Sequence, residues 1–122
     1  MNKLRIAFDI DGTICVNTNG KYDEAKPFHD MIEFINDLYD NGHYIIIHTA
    51  RGMGRNDNIS GKAFTSMYRM TQNQLDLWNL KYNELHLGKI HADLYVDDKG
   101  FCVKYSKNCL SDLKEAIKCL QM

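Results

Sequence analysis

Two aspartates stand close together at the end of an apolar run near the start of the chain. The run Arg5-Ile6-Ala7-Phe8 leads directly into Asp9-Ile10-Asp11-Gly12-Thr13. Such a run predicts a buried strand, and open α/β sheets bind ligands at the carboxyl ends of their strands. Because side chains alternate along a strand, Asp9 and Asp11 point to one side and Ile10 to the core. Two like charges held this close need a cation or a shared proton, which indicates metal or acid-base chemistry.

A polar turn after the strand is the simpler explanation, because Asp and Gly are common in turns. Three later segments favour a site, since each places at a predicted strand end a residue type that metal-assisted phosphoryl chemistry needs: Thr49-Ala50-Arg51, Gly88-Lys89 and Asp97-Asp98. Thr49 could donate its hydroxyl to a phosphoryl oxygen or merely cap the next turn. Arg51 could bind a phosphate, or brace the loop through a salt bridge to Asp57 or another acid.

Length and composition restrict the classes of protein. A chain of 122 residues predicts one domain over residues 1–122, and the net charge of −1 gives no basic field for nucleic acid. No apolar segment resembles a signal peptide or a membrane span, so we predict a cytoplasmic protein with no membrane partner. The four cysteines lack metal-ligand or disulfide spacing and are predicted to be reduced thiols. Cys15, beside the aspartates, is either a nucleophile or, as we favour, a small packing residue.

Hydrophobic periodicity predicts alternating strands and helices. The polar stretch 14–27 predicts a loop or small flap. Its candidate substrate contacts are Asn17, Asn19, Lys21 and Tyr22, for which plain solvation is the alternative. The predicted elements that follow are a helix from Pro27 to Asn41-Gly42, a strand over 43–51, a helix over 60–79, strands over 83–87 and 93–98, a short edge strand over 100–103 and a helix over 111–120.

This alternation predicts an α/β fold, a Rossmann-like open parallel sheet of strand order 3-2-1-4 with an edge element beyond strand four. In that order the first strand lies between the second and the fourth. Five residues then meet at one sheet edge: Asp9, Asp11, Thr49, Asp97 and Asp98. Carboxylates that converge without His or Cys suit Mg²⁺ better than zinc, so Mg²⁺ is the predicted cofactor.

The ordered motifs Asp9-Ile10-Asp11-Gly12-Thr13, Thr49-Ala50-Arg51, Lys89 and Asp97-Asp98 resemble those of the haloacid dehalogenase-like phosphatases. The resemblance implies that Asp9 attacks phosphorus and forms an aspartyl-phosphate. It implies that Asp11 protonates the leaving alkoxide and then activates water. An Asp at this second position resembles the phosphatase and phosphotransferase branches and argues against dehalogenase chemistry.

The resemblance also implies the remaining site residues. Substrate binding would fall to Thr49, Ala50, Arg51 and Lys89, with Thr49 and Lys89 stabilising the transferring phosphoryl group. Asp9, the Asp11 carbonyl, Asp97 and Asp98 would hold Mg²⁺. Lys99 is a rival for the lysine role, but it follows the acidic pair, whereas the family's lysine precedes it.

Neither interval that carries a cap domain in the family is long enough here, so the resemblance implies a core without a full cap. The compact layout is similar to small bacterial phosphatases of capsule and surface-polysaccharide biosynthesis, which implies a phosphorylated sugar or small metabolite as substrate. An open site also leaves room for a second copy of the chain to cover it. Three alternatives are a nucleic-acid end phosphatase, a phospho-ligand binding module without turnover, and a response-regulator receiver, which the motif order disfavours.

Overall fold

Three parallel strands form the centre of the protein in a computed structural model that describes residues 2–122. The strands and helices in chain order are β1 (Arg5–Phe8), α1 (His29–Asp40), β2 (Tyr44–Thr49), α2 (Ser60–Leu77), β3 (Glu84–Leu87) and α3 (Cys109–Leu120). Single 3-10 turns occupy Tyr22–Glu24, Gly54–Asn56 and Val103–Tyr105. The predicted α/β fold with an open parallel sheet is confirmed.

The strand β2 lies in the middle of the sheet, with β1 on one side and β3 on the other. Phe8 is opposite Ile47, and Thr49 is opposite Leu87, so the carboxyl ends of all three strands reach the same edge. On β2, Ile45, Ile47 and Thr49 are buried, while the residues between them are half-buried. The order agrees with the 3-2-1 portion of the predicted sheet.

Glycine and asparagine end the two helices that connect the strands. After α1, the N–H of Gly42 bonds to the carbonyl of Tyr39 and that of His43 to the carbonyl of Leu38. These two hydrogen bonds form a Schellman motif, and Gly42 has the positive φ of 91° that the motif requires. After α2, Asn79 takes the same position with φ 57°. These stops turn the chain back to begin β2 and β3.

One hydrophobic cluster contains residues from Phe8 on β1 to Ile117 on α3. Ile10 belongs to it and is fully buried, although it lies between two aspartates. Ile35 of α1 and Leu75 of α2 are also fully buried in the cluster. The core therefore fixes the backbone on which Asp9 and Asp11 are carried.

The predicted fourth strand is wrong for this structure. In the described chain, residues 93–98 form no strand, and residues 100–103 lead into a 3-10 turn instead of an edge strand. Leu94 and Val96 are 73% and 88% exposed, so the alternating pattern buries nothing. A turn at Asp97 takes the place of ladder bonds, because its Oδ1 accepts hydrogen bonds from the N–H groups of Lys99 and Gly100.

Within residues 2–122, none of the helices combines the length and the apolar composition that crossing a membrane requires.

Truncating a central side chain of the sheet should destabilise the protein strongly. Ile47→Ala leaves a cavity between the sheet and its helices and should lower the free energy of unfolding by about 2–5 kcal/mol. Leu77→Ala is the control, because Leu77 is 82% exposed at the end of α2 and should change stability by no more than about 0.5 kcal/mol. Urea denaturation measures both, and equal effects would place Ile47 outside the core.

Candidate active site

A tight turn directly after β1 presents Asp9 and Asp11. The carbonyl of Ile10 accepts hydrogen bonds from the N–H groups of Thr13 and Ile14, at 3.0 and 2.8 Å. Gly12 permits this reversal with φ 87°, a backbone conformation that L side chains rarely adopt. Ile10 is buried as predicted, but residues 9–11 lie beyond the end of β1, so this turn and not strand alternation positions the two carboxylates.

A buried arginine holds Asp11 in one orientation. Arg51 Nε lies 2.9 Å from Asp11 Oδ2, and Arg51 Nη2 lies 2.9 Å from Asp11 Oδ1, so the pair is bidentate. The Arg51 side chain has no exposed surface, and that of Asp11 is 17% exposed. Planar guanidinium and carboxylate groups matched in this way fix direction as well as distance. Of the two possibilities for Arg51, the structure shows the brace, with Asp11 in place of Asp57 as the acid.

The remaining N–H groups of Arg51 join the site to α2 and to the flap. Nη1 donates to Gln74 Oε1 at 2.6 Å and lies 3.4 Å from Thr71 Oγ1. Gln74 in turn donates to the carbonyl of Tyr22 at 2.7 Å, and the Tyr22 ring lies 4.7 Å from the guanidinium. Because its donors face protein acceptors, Arg51 has none directed at the cleft. Arg51 still lines the cleft, and its contact with substrate stays a prediction.

Asp9 has a different environment from Asp11. Its side chain is 32% exposed, and Lys89 Nζ lies 3.8 Å from its Oδ1. Burial raises the pKa of the Asp9 carboxyl above its ordinary value of 3.8, and this outweighs Lys89 and the Ile10 N–H, which lower it. Asp11 adds to the rise. A carboxylate with an incompletely solvated charge is suited to bind a cation or to attack an electrophile.

Thr49 lies at the carboxyl end of β2 and forms hydrogen bonds with Arg51 and with the segment that follows β3. Its Oγ1 accepts a hydrogen bond from the N–H of Arg51 at 3.1 Å, which leaves the hydroxyl proton free to donate. Its carbonyl accepts from the N–H groups of Gly88 and Lys89, both at 3.2 Å. Thr49 thus fixes the backbone position of Gly88 and Lys89, directly after β3.

These groups line a cleft of about 590 Å³. From the sequence predictions it contains Asp9, Asp11, Thr49, Ala50, Arg51, Lys89 and, from the flap, Asn17, Asn19 and Tyr22. Lys21 does not line it. The sequence predictions did not include four further residues that line the cleft: Arg55, His91, Ala92 and Tyr95. The closeness of His91 in sequence to Lys89 is the one signal that could have indicated it.

Asp97, Asp98 and Lys99 do not line the cleft. Across residues 2–122, no three His, Cys, Asp or Glu side chains are gathered as metal ligands. The donors that the family resemblance implies at the end of β1, the Asp9 carboxylate and the Asp11 carbonyl, are hard oxygen atoms and fit Mg²⁺ in kind. The position of Lys99 outside the cleft favours Lys89 as the lysine of the site.

Cys15 is buried behind the aspartates. Its Sγ lies 3.6 Å from Asp11 Oδ1 and 4.0 Å from Arg51 Nη2. Burial, with Asp11 adding to it, raises the pKa of the thiol to about 12. Since the thiolate is the nucleophilic form, this environment suits a packing residue and not a nucleophile.

Comparison with known proteins agrees with this arrangement. The model of the haloacid dehalogenase-like hydrolase family matches residues 6–73, more than half of the chain. A protein from Vibrio cholerae with a crystal structure has the same fold, with a TM-score of 0.78, 24% identity, and coverage of 96% of this chain and 98% of that one. No curated protein matches the chain. The chain belongs to the haloacid dehalogenase-like hydrolases, and the fold and family resemblance predicted from its motifs are confirmed.

Removing the guanidinium of Arg51 should destabilise the fold. Arg51→Met leaves Asp11 and Gln74 without their partner and should lower the free energy of unfolding by about 2–4 kcal/mol, slightly less than for a fully buried pair. Lys81→Met is the matched control, because its 2.8 Å pair with Asp40 is exposed and should contribute at most about 1 kcal/mol. Equal losses in urea denaturation would contradict the bracing role.

The raised pKa of Asp9 predicts a pH-dependent effect on stability. The folded protein binds the Asp9 proton more tightly than the unfolded chain, so Asp9 contributes stability below its ordinary pKa of 3.8 that is lost as pH rises through the higher folded value. Without metal, Asp9→Asn should therefore gain stability relative to wild type as pH rises from about 3.5 to 7. Urea denaturation at a series of pH values measures this, and a stability difference between Asp9→Asn and wild type that stays constant with pH would contradict it.

Proposed function

We propose that the protein is a Mg²⁺-dependent phosphomonoester hydrolase that works through an aspartyl-phosphate on Asp9. The observation that carries the proposal is that Asp9, Asp11, Thr49 and Lys89 line one cleft. Asp9 faces the cleft with a destabilised charge, whereas Asp11 is held by Arg51 beside it. Asp9, beside Lys89, suits attack on a phosphoryl group bound in the cleft, and the fixed direction of Asp11 suits proton transfer next to it.

In the first half-reaction, an Asp9 carboxylate oxygen forms a bond to phosphorus as the bond from phosphorus to the alcohol oxygen breaks. Asp11 gives a proton to the leaving alkoxide. The Thr49 hydroxyl can donate to a phosphoryl oxygen, and the Lys89 ammonium, 3.8 Å from Asp9 Oδ1, offsets negative charge on nucleophile and phosphate. Positioning and electrostatics of this kind provide most of the catalysis in phosphoryl transfer.

In the second half-reaction, Asp11 takes a proton from water, and the water oxygen attacks phosphorus. The bond between phosphorus and the Asp9 oxygen breaks, which restores the carboxylate and releases inorganic phosphate. Both steps need Asp11 to keep one orientation relative to Asp9. The bidentate contact with Arg51 gives the carboxylate that orientation.

Mg²⁺ would add positive charge next to the phosphoryl oxygens. Asp9 and the carbonyl of Asp11 would hold it from the end of β1. Asp97 and Asp98 stay the proposed acidic ligands from the segment after β3, although they do not line the cleft in this structure.

We propose a small substrate, a phosphorylated sugar or a metabolite of surface-polysaccharide biosynthesis. Support comes from the size of the cleft and from polar flap residues, Asn17, Asn19 and Tyr22, that can contact hydroxyl groups. Lack of a full cap, coverage of the site by a second copy of the chain and a cytoplasmic location also stay predictions.

Phosphate release tests the proposal. Wild type should release phosphate from a panel of sugar phosphates with Mg²⁺ and lose this activity with chelator, and Asp9→Asn should retain its circular dichroism but no turnover. Undiminished turnover in Asp9→Asn would remove Asp9 from the mechanism.

The choice of lysine is tested separately. Lys89→Met should reduce kcat/KM roughly a hundredfold or more, because its charge is lost next to the transferring group. Lys99→Met is the matched control, since Lys99 lies outside the cleft and should have activity close to wild type. A loss confined to Lys99→Met would reverse the assignment.

A further inference from the structure

The charges that line the cleft do not balance. The carboxylate of Asp11 is paired with Arg51, and that of Asp9 lies opposite Lys89. Arg55, on the 3-10 turn Gly54–Asn56, lines the same cleft and has no carboxylate within 4.0 Å in the part of the chain that the structure describes. The cleft therefore carries one guanidinium more than its own acids neutralise.

The position of Arg55 is nevertheless defined. Its Nη2 donates to the carbonyl of Gly20 at 3.3 Å, its Nη1 lies 4.0 Å from Met67 Sδ, and its guanidinium lies 5.5 Å from the Tyr22 ring centre. These contacts use only part of the five N–H groups of an arginine. Arg51 is the opposite case, because its donors face protein acceptors. Arg55 thus offers donors held by the flap and not directed at a protein acid.

The imidazole of His91, a second possible hydrogen-bond donor, lies beside the turn that carries Arg55. The N–H of His91 bonds to Asn58 Oδ1 at 2.9 Å, which ties the segment after β3 to the loop after β2. The His91 ring packs closely on Gly54, where a Cβ would meet Nδ1 at 3.3 Å. His91 also lines the cleft, and Gly54, which its ring contacts, directly precedes Arg55 in the chain.

We propose that Arg55, assisted by His91, binds a second anionic group of the substrate, a carboxylate or a second phosphate, while the phosphoryl group to be cleaved is at Asp9. The inference rests on the proposed phosphatase function and narrows its substrates to compounds with two anionic groups. Guanidinium groups bind both anions through paired N–H donors, which explains why an arginine is used at this position. The cleaved phosphoryl group already has Thr49 and Lys89, so Arg55 serves the rest of the molecule.

Matched substrate pairs test the inference. Phosphoglycerate and glycerol phosphate differ by a carboxylate, and a hexose bisphosphate differs from the monophosphate by a phosphate. In at least one pair, wild type should have a higher kcat/KM for the compound with the second anionic group, mainly because its KM is lower. Arg55→Gln should reduce this selectivity ratio roughly tenfold or more, as expected for lost hydrogen bonds to a charged group, and Arg55→Lys should restore part of it. The pair that responds identifies the anion.

Arg69→Gln is the control, because Arg69 is exposed on α2 and lies outside the cleft; its selectivity ratio should equal that of wild type. A wild type without preference in either pair, or an Arg55→Gln ratio equal to that of wild type, would overturn the inference.

Should no compound be hydrolysed, the proposed phosphatase function fails. Titration calorimetry of the same compounds with wild type and Arg55→Gln still decides whether Arg55 binds the second anion.

Discussion

The buried contact between Arg51 and Asp11 is the interaction on which the arrangement of the site depends. It joins the turn after β1 to the loop after β2, and through Gln74 it reaches α2 and the carbonyl of Tyr22 in the flap. A guanidinium removed from water is costly unless its donors are matched, so each of these segments is held by the need to satisfy it. Gly52 permits the close approach of α2 to the loop after β2, because a Cβ at Gly52 would meet Met67 Cγ on α2 at 2.9 Å.

The same contact separates the properties of two aspartates that are two positions apart. Asp11 has its charge paired and its direction fixed, whereas Asp9 lies at the cleft with a pKa that burial raises more than Lys89, the Ile10 N–H and Arg51 lower it. Ile10, fully buried between them, anchors both to the core. The hydrophobic core thus supplies position, and the polar network supplies the difference in chemistry.

Most of the fold could be predicted from local pattern. The helix predicted from Pro27 to Asn41 is α1, His29–Asp40, and that predicted over 60–79 is α2, Ser60–Leu77, because apolar spacing and stop residues are encoded nearby. The strand predicted over 93–98 failed for a different reason. An alternating pattern describes a segment that can pair, but it does not say whether the backbone finds a partner, and here Leu94 and Val96 remain exposed.

The candidate site was predictable in part for the same reason. Residue type and strand-end position indicated Asp9, Thr49 and Lys89, which line one cleft. The partner of Arg51 lies 40 positions away in the chain, and nothing local distinguishes a buried brace from a phosphate ligand. The role proposed for Arg55 could not be predicted either, because it depends on the excess positive charge of the cleft, and that excess depends on which residues the fold brings together.

Direct detection of the phosphorylated aspartate is the most decisive test of the central claim. An aryl phosphate whose leaving group needs no proton would be mixed with Asp11→Asn, which can form the intermediate but lacks the base to hydrolyse it. Acid quenching and peptide mapping should place the phosphate on Asp9, in a bond that hydroxylamine cleaves, and Asp9→Asn should carry no label. Phosphate found on another residue, or turnover of wild type that persists when Asp9 is replaced, would contradict the account.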